Sequence, residues 1–128
     1  MKKSNIGIVV FTYSRLDHAK ITLEELAKND GFSEYTVTIF SDGPKEQHED
    51  QVQKVRNYLK EFKSKYKNVS VIEREENLGL EKSIIEGVTE MLNQYEGVIV
   101  IEDDIRTSPK FLEYMNRMLS SYKDKKDI

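Results

Sequence analysis

The hydrophobic pattern of the chain alternates between two periods. Short apolar segments, continuous at residues 6–11 and 98–101 and interrupted at 37–40 and 69–72, are typical of buried strands. Between them, apolar residues recur every three or four positions, as on one face of a helix. These helical stretches cover residues 16–27, 52–66, 80–95 and 108–119. The β-α-β-α-β-α-β-α order predicts a mostly parallel four-stranded sheet in a three-layer α/β/α fold.

Polar residues mark the expected ends of the helices. Ser14, with Asp17 three residues later, resembles the start of the first helix. The Asn-Asp-Gly sequence at 29–31 is expected to end that helix. Ser108 and Pro109 fit the N-cap and the first position of the last helix, because proline lacks the N–H that this position leaves unpaired.

Composition narrows the classes of function. The 128 residues fit one domain, and the net charge of -3 does not indicate the basic surface expected of a nucleic-acid-binding protein. The absence of cysteine excludes disulfides, thiolate metal sites and a cysteine nucleophile. No apolar run approaches the roughly 20 residues of a membrane span, so no transmembrane segment is predicted. We expect a cytoplasmic domain.

Ligands of open parallel α/β sheets bind beyond the carboxyl ends of the strands. Four short stretches follow the predicted strands, at residues 12–15, 41–43, 73–77 and 102–104. Because these ends meet at one edge of the sheet, the four stretches are the places where a binding site is expected.

The acidic stretch Glu102, Asp103 and Asp104 carries the strongest signal. Neighbouring carboxylates repel one another unless a cation relieves them, and hard divalent cations prefer carboxylate oxygen. In an extended chain, Glu102 and Asp104 would point to one side and Asp103 to the other. The alternative is a solvated acidic turn that precedes the next helix.

Three other residues have both a structural and a functional interpretation. Asp42 lies in a turn sequence, where it would bond its own backbone or accept a hydrogen bond from a ligand. Arg15 follows the first strand, as a surface arginine or as a guanidinium for a diphosphate or a base. Lys82 falls in the first turn of the third helix, where a cation opposes the helix dipole, which hints at a phosphate or reflects an exposed lysine.

Several common motifs are absent from the sequence. There is no Gly-x-Gly-x-x-Gly, no Gly-x-x-x-x-Gly-Lys-Ser/Thr and no Gly-x-Ser-x-Gly. A dinucleotide-binding Rossmann domain, a P-loop NTPase and a hydrolase nucleophile elbow are therefore disfavoured. His18 and His48 are isolated and lack metal-ligand spacing.

Four motifs, in this order, resemble the GT-A fold of nucleotide-sugar glycosyltransferases. They are Val-Val-Phe-Thr-Tyr-Ser-Arg at 9–15, Ser-Asp-Gly at 41–43, Asn-Leu-Gly at 77–79 and Val-Ile-Val-Ile-Glu-Asp-Asp-Ile at 98–105. The general pattern is similar to glycosyltransferase family 2, and the acidic motif with residues 108–114 resembles the N-acetylglucosaminyltransferase I-like branch. The resemblance implies a Rossmann-like, nucleotide-binding half of a GT-A fold.

The resemblance also implies roles for individual residues. Asp104 would be the metal ligand of a DXD-like motif, with Mn²⁺ or Mg²⁺ as the cofactor. Asp103 would hold the ribose, and Glu102 would lie near the sugar or the nucleotide. Asp42 would accept a hydrogen bond from a uracil ring.

The remaining candidates would complete the nucleotide pocket. By the same resemblance, Thr12, Tyr13 and Arg15 would line it, and Lys82, a looser match, would approach the nucleotide or its phosphates. No catalytic base is assigned, because family members carry it in a later part of their chains. We expect residues 1–128 to form a single nucleotide-diphospho-sugar-binding domain without the acceptor-binding half.

The implied reaction transfers a sugar from a nucleotide diphosphate sugar, with UDP as the expected nucleotide, to the hydroxyl of a glycan or another acceptor. The full-length protein could still associate with a membrane. The alternative is a non-catalytic regulatory or protein-interaction domain on the same scaffold. A receiver-like phosphoacceptor is disfavoured, because Thr12 and Tyr13 stand where its acidic pair would follow the first strand.

Overall fold

The four predicted strands form one sheet in which all neighbours are parallel. A computed structural model describes residues 5–124 of the chain. The strand order is β3-β2-β1-β4, so the predicted parallel α/β fold is confirmed. The strands are β1 (Ile6–Thr12), β2 (Thr36–Ser41), β3 (Val69–Glu73) and β4 (Gly97–Glu102). The helices are α1 (Leu16–Ala27), α2 (Glu49–Lys65), α3 (Leu80–Leu92) and α4 (Phe111–Asp124).

The helices divide unequally between the two faces of the sheet. The chain runs outward from β1 to β3 and then returns to the other side of β1 to form β4. Right-handed crossovers in opposite directions place α3 on one face and α1 and α2 on the other. Successive β1 side chains alternate between the two cores accordingly: Ile8 packs in the core beneath α1, α2 and α4, whereas Val9 packs in the smaller core beneath α3.

Because three helices cover one face of the sheet and only α3 covers the other, β4 is less buried than predicted. Its continuous apolar sequence predicts a strand buried on both faces, but Val100 is 39% exposed. Ile99 and Ile101 point into the larger core and are buried, whereas Val98 and Val100 face the side that α3 covers alone. An edge strand under a single helix keeps one part of that face open to solvent.

Two predicted helix starts differ from the structure. Helix α1 begins at Leu16, as predicted, but Arg15 is its N-cap residue and Ser14 does not cap it. Helix α4 begins at Phe111, because residues 108–110 form a turn instead of the first helical positions. Asn29, from the loop after α1, accepts the Leu112 N–H at 2.8 Å. A contact from a distant loop therefore does the capping that the sequence assigned to Ser108.

The apolar stripe of α3 is narrower than predicted. Met91 is buried and Ile84 and Val88 pack against the sheet, but Leu80 and Leu92 are more than half exposed. Tyr95 packs in the same core from beyond the end of the helix. The single helix on this face contacts the sheet along its central line, so its flanking apolar positions face outward.

Candidate functional site

A cavity of about 310 Å³ lies where the carboxyl ends of β1, β2 and β4 meet. This is the point where the strand order reverses, because the chain leaves β1 toward β2 and later returns beside it as β4. The start of α3 forms another wall. Seven of the eight residues predicted to bind a nucleotide sugar or a metal line this cavity: Thr12, Tyr13, Arg15, Asp42, Glu102, Asp103 and Asp104.

The eighth predicted residue, Lys82, lies outside this cavity. It is exposed and lines a shallow depression on the outer side of α3 with Ile85 and Glu86. Ser83, the next residue, faces the cavity instead, because successive positions on a helix are about 100° apart. A nucleotide contact from Lys82 stays a prediction.

The acidic residues form a turn and not an extended segment. The Ile105 N–H donates to the Glu102 carbonyl at 3.1 Å, which places Asp103 and Asp104 at the tip. The expectation that Asp103 would point away from Glu102 and Asp104 is therefore wrong, because the turn breaks the alternation of an extended chain. All three residues line the same cavity.

Helix α1 fixes the position of this turn. The hydroxyl of Thr22, which is buried, donates a hydrogen bond to the Asp103 carbonyl at 2.9 Å. The carbonyl is thereby satisfied away from the cavity, so the Asp103 side chain is the part of this residue that is available to a ligand. No sequence pattern marked Thr22, because the contact joins residues far apart in the chain.

Burial raises the pKa of the Asp103 carboxyl. Arg15 and His18 oppose the rise, and the negative charges of Asp104 and Glu102 add to it. A cation at this turn would relieve the carboxylate repulsion that contributes to the raised pKa.

The chemistry of these donors fits Mg²⁺ or Mn²⁺ only in part. Within residues 5–124, no three His, Asp or Glu side chains are close enough together to hold a metal ion by themselves. Mg²⁺ is often bound through one or two carboxylates plus substrate phosphates and water, so one or two acids of this turn would suffice if a ligand supplied the other oxygens.

Both carboxylate oxygens of Asp42 accept hydrogen bonds from other groups of the protein. Oδ1 accepts the N–H groups of Gly43 at 2.9 Å and Leu78 at 3.0 Å. Oδ2 accepts the N–H of Gly79 at 3.0 Å and the amide of Asn77 at 3.4 Å. The expected bond to its own backbone is present, and three further donors come from the loop before α3. Asp42 thus ties the end of β2 to the start of α3.

Arg56, on α2, makes hydrogen bonds to the segments that follow β2 and β3. Its guanidinium donates to the Ser41 side chain at 2.9 Å and to the carbonyls of Asp42 at 3.2 Å and Arg74 at 2.7 Å. This planar group joins β2 to the segment after β3, as expected of the guanidinium fork. Arg56 was not identified from the sequence, although the two segments that it joins lie within the stretches 41–43 and 73–77 where a binding site was expected.

Tyr13 organises the opposite rim of the cavity. Its hydroxyl accepts the Lys45 N–H at 3.0 Å and lies 2.9 Å from His48 Nδ1. The Lys45 side chain is exposed at the cavity rim, and sequence reasoning missed it, because nothing in a loop lysine distinguishes it from other surface lysines. His48, an isolated histidine in the sequence, holds Tyr13 in place.

Each helix within residues 5–124 is too short or too polar to cross a lipid bilayer.

Known structures share this fold. A crystal structure of S. aureus TarS residues 1–349 superposes with a TM-score of 0.60 at 24% identity and covers 96% of this chain. A longer TarS structure gives a TM-score of 0.59 at 24% identity over the same share of the chain. The mannosyltransferase PcManGT from Pyrobaculum calidifontis, in complex with GDP-Man and Mn²⁺, gives 0.54 at 11% identity over 83% of the chain.

The matched region is only part of each of these proteins. The chain spans 33% of TarS 1–349, 20% of the longer TarS structure and 29% of PcManGT. None of the curated protein sequences that were compared matches the chain. The family model described as "Glycosyl transferase family 2" matches residues 7–124, which include all but the first residue of the strands and helices and the whole cavity. The chain therefore belongs to glycosyl transferase family 2.

Proposed function

We propose that this chain is the donor-binding domain of a metal-dependent glycosyltransferase that uses a nucleotide diphosphate sugar, with UDP as the nucleotide. The observation that carries the proposal is the cavity at the reversal of strand order, which brings an acidic turn and two basic side chains to one opening. A nucleotide diphosphate sugar presents a matching set of groups: a base, a ribose, a diphosphate and a sugar.

The charges of the cavity suit a diphosphate with a divalent cation. Arg15 and Lys45 line it, and neither makes a direct ion pair in the described chain, although the charge of Arg15 acts on the Asp103 carboxyl. Asp104 is exposed at the tip of the acidic turn, where it would hold Mn²⁺ or Mg²⁺. When bound, such a cation acts as a Lewis acid that neutralises charge on the leaving diphosphate.

The other candidate residues receive roles around the nucleotide. Asp103 would hold the ribose, and Glu102 would lie near the sugar or the nucleotide. Thr12 donates its hydroxyl to the Phe40 carbonyl at 3.1 Å, so it would shape the pocket wall. Tyr13 would place Lys45 at the rim through the hydrogen bond to its N–H.

Asp42 and Lys82 contribute less directly to this proposal. For Asp42 to accept a hydrogen bond from a uracil ring, it would have to release one of its four contacts with the protein. Lys82 would need a ligand that extends past the start of α3 onto the outer face of that helix.

The reaction that follows is attack of an acceptor hydroxyl, on a glycan or another molecule, at the anomeric carbon of the donor sugar. A general base would take the hydroxyl proton. We assign no residue of this chain to that role. The PcManGT complex with GDP-Man and Mn²⁺ supports a nucleotide sugar and a metal as the ligands of this fold.

Isothermal titration calorimetry with UDP and a UDP-sugar, in Mn²⁺ and then in EDTA, tests the proposal. We expect binding with Mn²⁺ and at least a tenfold loss in EDTA, a difference of about 1.4 kcal/mol. Asp104→Ala should bind UDP equally weakly in both buffers. Glu90→Ala is the matched control, because it removes an exposed acid of α3 outside the cavity.

Two results would count against the proposal. If UDP binds with the same affinity in EDTA, the metal dependence is wrong. If no nucleotide or nucleotide sugar binds in either buffer, the donor-binding role is wrong and the non-catalytic interaction domain becomes the better interpretation.

A further inference from the structure

One buried residue on the cavity wall, Ser83, has a hydroxyl that makes no hydrogen bond to the described part of the chain, and the inference drawn from it rests on the proposed function. Thr12 donates to the Phe40 carbonyl, Asn77 donates to the Gly43 carbonyl at 2.7 Å, and Asp42 is occupied by protein donors. Ser83 also lines the cavity and is 3% exposed. Its hydroxyl has no hydrogen-bond partner among residues 5–124.

The hydrogen bond that Ser83 makes within α3 involves its backbone N–H and not its hydroxyl. The Ser83 N–H donates to the Gly79 carbonyl at 2.9 Å and closes the first turn of α3. The hydroxyl borders the cavity and no side chain or carbonyl of the described chain pairs with it, so it can hydrogen-bond to a molecule in the cavity. A ligand atom that enters the cavity would restore the missing hydrogen bond.

The helical spacing places Ser83 on the side of α3 that faces the sheet. One turn further on, a Cβ at Gly87 would lie 2.7 Å from the Phe11 ring, so this line of the helix contacts β1. One turn earlier, a Cβ at Gly79 would meet no atom within 4 Å. The space beside Gly79 is open, whereas the helix packs directly on the Phe11 ring at Gly87. Ser83 lies between these two positions.

Part of the cavity wall is apolar, which distinguishes it from the charged rim. Leu80 lines the same cavity and is 62% exposed, and Phe11 forms part of the wall. A phosphate has no apolar surface to place against these side chains, and Arg15 and Lys45 offer it charge elsewhere in the cavity. A planar base has apolar faces and a polar edge, which suit Leu80 and a buried hydroxyl respectively.

We propose that the Ser83 hydroxyl binds a polar atom on the edge of the donor's nucleobase, while Leu80 covers a face of the ring. Ser83 is then a residue that determines base recognition, a role no sequence motif assigned to it. Asp42 contributes by holding the loop from which α3 begins.

The test compares Ser83→Ala with the wild-type chain for three ligands, UDP, uridine and inorganic pyrophosphate, each in Mn²⁺. Ser70→Ala is the matched control, because Ser70 is exposed on β3 outside the cavity. We expect Ser83→Ala to weaken UDP and uridine by about five- to tenfold, the range of one uncharged hydrogen bond, and to leave pyrophosphate unchanged. Alanine favours helix, so the variant should fold, and thermal melting checks this.

Three other outcomes would each contradict the proposed contact between Ser83 and the nucleobase, and they can be told apart. If pyrophosphate weakens, Ser83 contacts the phosphates and not the base. If all three affinities are unchanged in the folded variant, Ser83 does not contact the ligand. If the wild-type chain itself binds none of the three, the proposed function fails and the inference fails with it.

Discussion

At the scale of single residues, Asp42 illustrates how one buried carboxylate can hold two loops together at the edge of a cavity. Four donors converge on its two oxygens from Gly43 and the loop before α3. A Cβ on Gly43 would come within 2.3 Å of the Glu76 backbone, so the two loops are in close contact. The close approach requires glycine at 43, and the converging donors require an acceptor at 42.

The substitution Asp42→Asn should therefore act on stability. The amide nitrogen of the new side chain would face N–H donors, so at least one charged hydrogen bond is lost and we expect a fall of about 2 kcal/mol in the free energy of unfolding. Urea denaturation measures it, with Asp50→Asn, at an exposed position of α2, as the control. Unchanged stability with lost UDP affinity would instead identify Asp42 as the residue that reads the base.

At the scale of elements, a hydrogen bond from a buried phenol joins helices α1 and α2, which also share the larger apolar core. Tyr58 of α2 donates its hydroxyl to Glu24 of α1 at 3.1 Å. Burial raises the pKa of Tyr58, and the charge of Glu24 raises it further. Below pH 10 the phenol is protonated in both states and its pKa contributes no pH dependence. Above pH 10 the unfolded state ionises first, so the free energy of unfolding falls as pH rises.

The substitution Tyr58→Phe separates the contribution of the hydrogen bond to stability from the effect of the raised pKa. At pH 7 it should lower the free energy of unfolding by about 1 kcal/mol, the worth of one hydrogen bond. Between pH 10 and 11 the difference from the wild type should shrink, because only the wild type must keep this phenol neutral to remain folded. Denaturation at both pH values measures the change, and a difference that grows above pH 10 would contradict the raised pKa.

The strands and helices were predictable from local sequence patterns, but some of their boundaries were not. The apolar segments and helical periods predicted every strand and α-helix in order, because burial against a sheet imposes those periods. The start of α4 and the shape of the acidic turn were predicted wrongly. Asn29 caps α4 and Thr22 holds the Asp103 carbonyl, and each contact spans about 80 residues, beyond the reach of a local pattern.

At the scale of the whole molecule, the location of the cavity was predictable, whereas its inner contacts were not. Parallel strands bring their carboxyl ends to one edge, so the seven candidates that lie in the stretches after the strands line one cavity. Ser83 and Lys45 escaped prediction, because a serine in a helix and a lysine in a loop have no distinctive pattern. Only the packing of α3 on β1, and the Tyr13 contact with the loop, place them at the cavity.

The proposed site also couples ligand binding to the stability of the whole domain. The cavity is assembled from three strands and α3, so an unfolded chain cannot form it, and a ligand bound only by the folded state raises its stability. At 100 times the dissociation constant of UDP in Mn²⁺, the gain is about 2.7 kcal/mol, or roughly 10 °C in melting temperature for a domain of this size. Differential scanning calorimetry should show this shift with UDP and Mn²⁺ together, and a much smaller one with either alone. Asp104→Ala should lose the joint effect and Glu90→Ala should keep it, whereas an equal shift from UDP in EDTA would show that binding does not depend on a divalent cation.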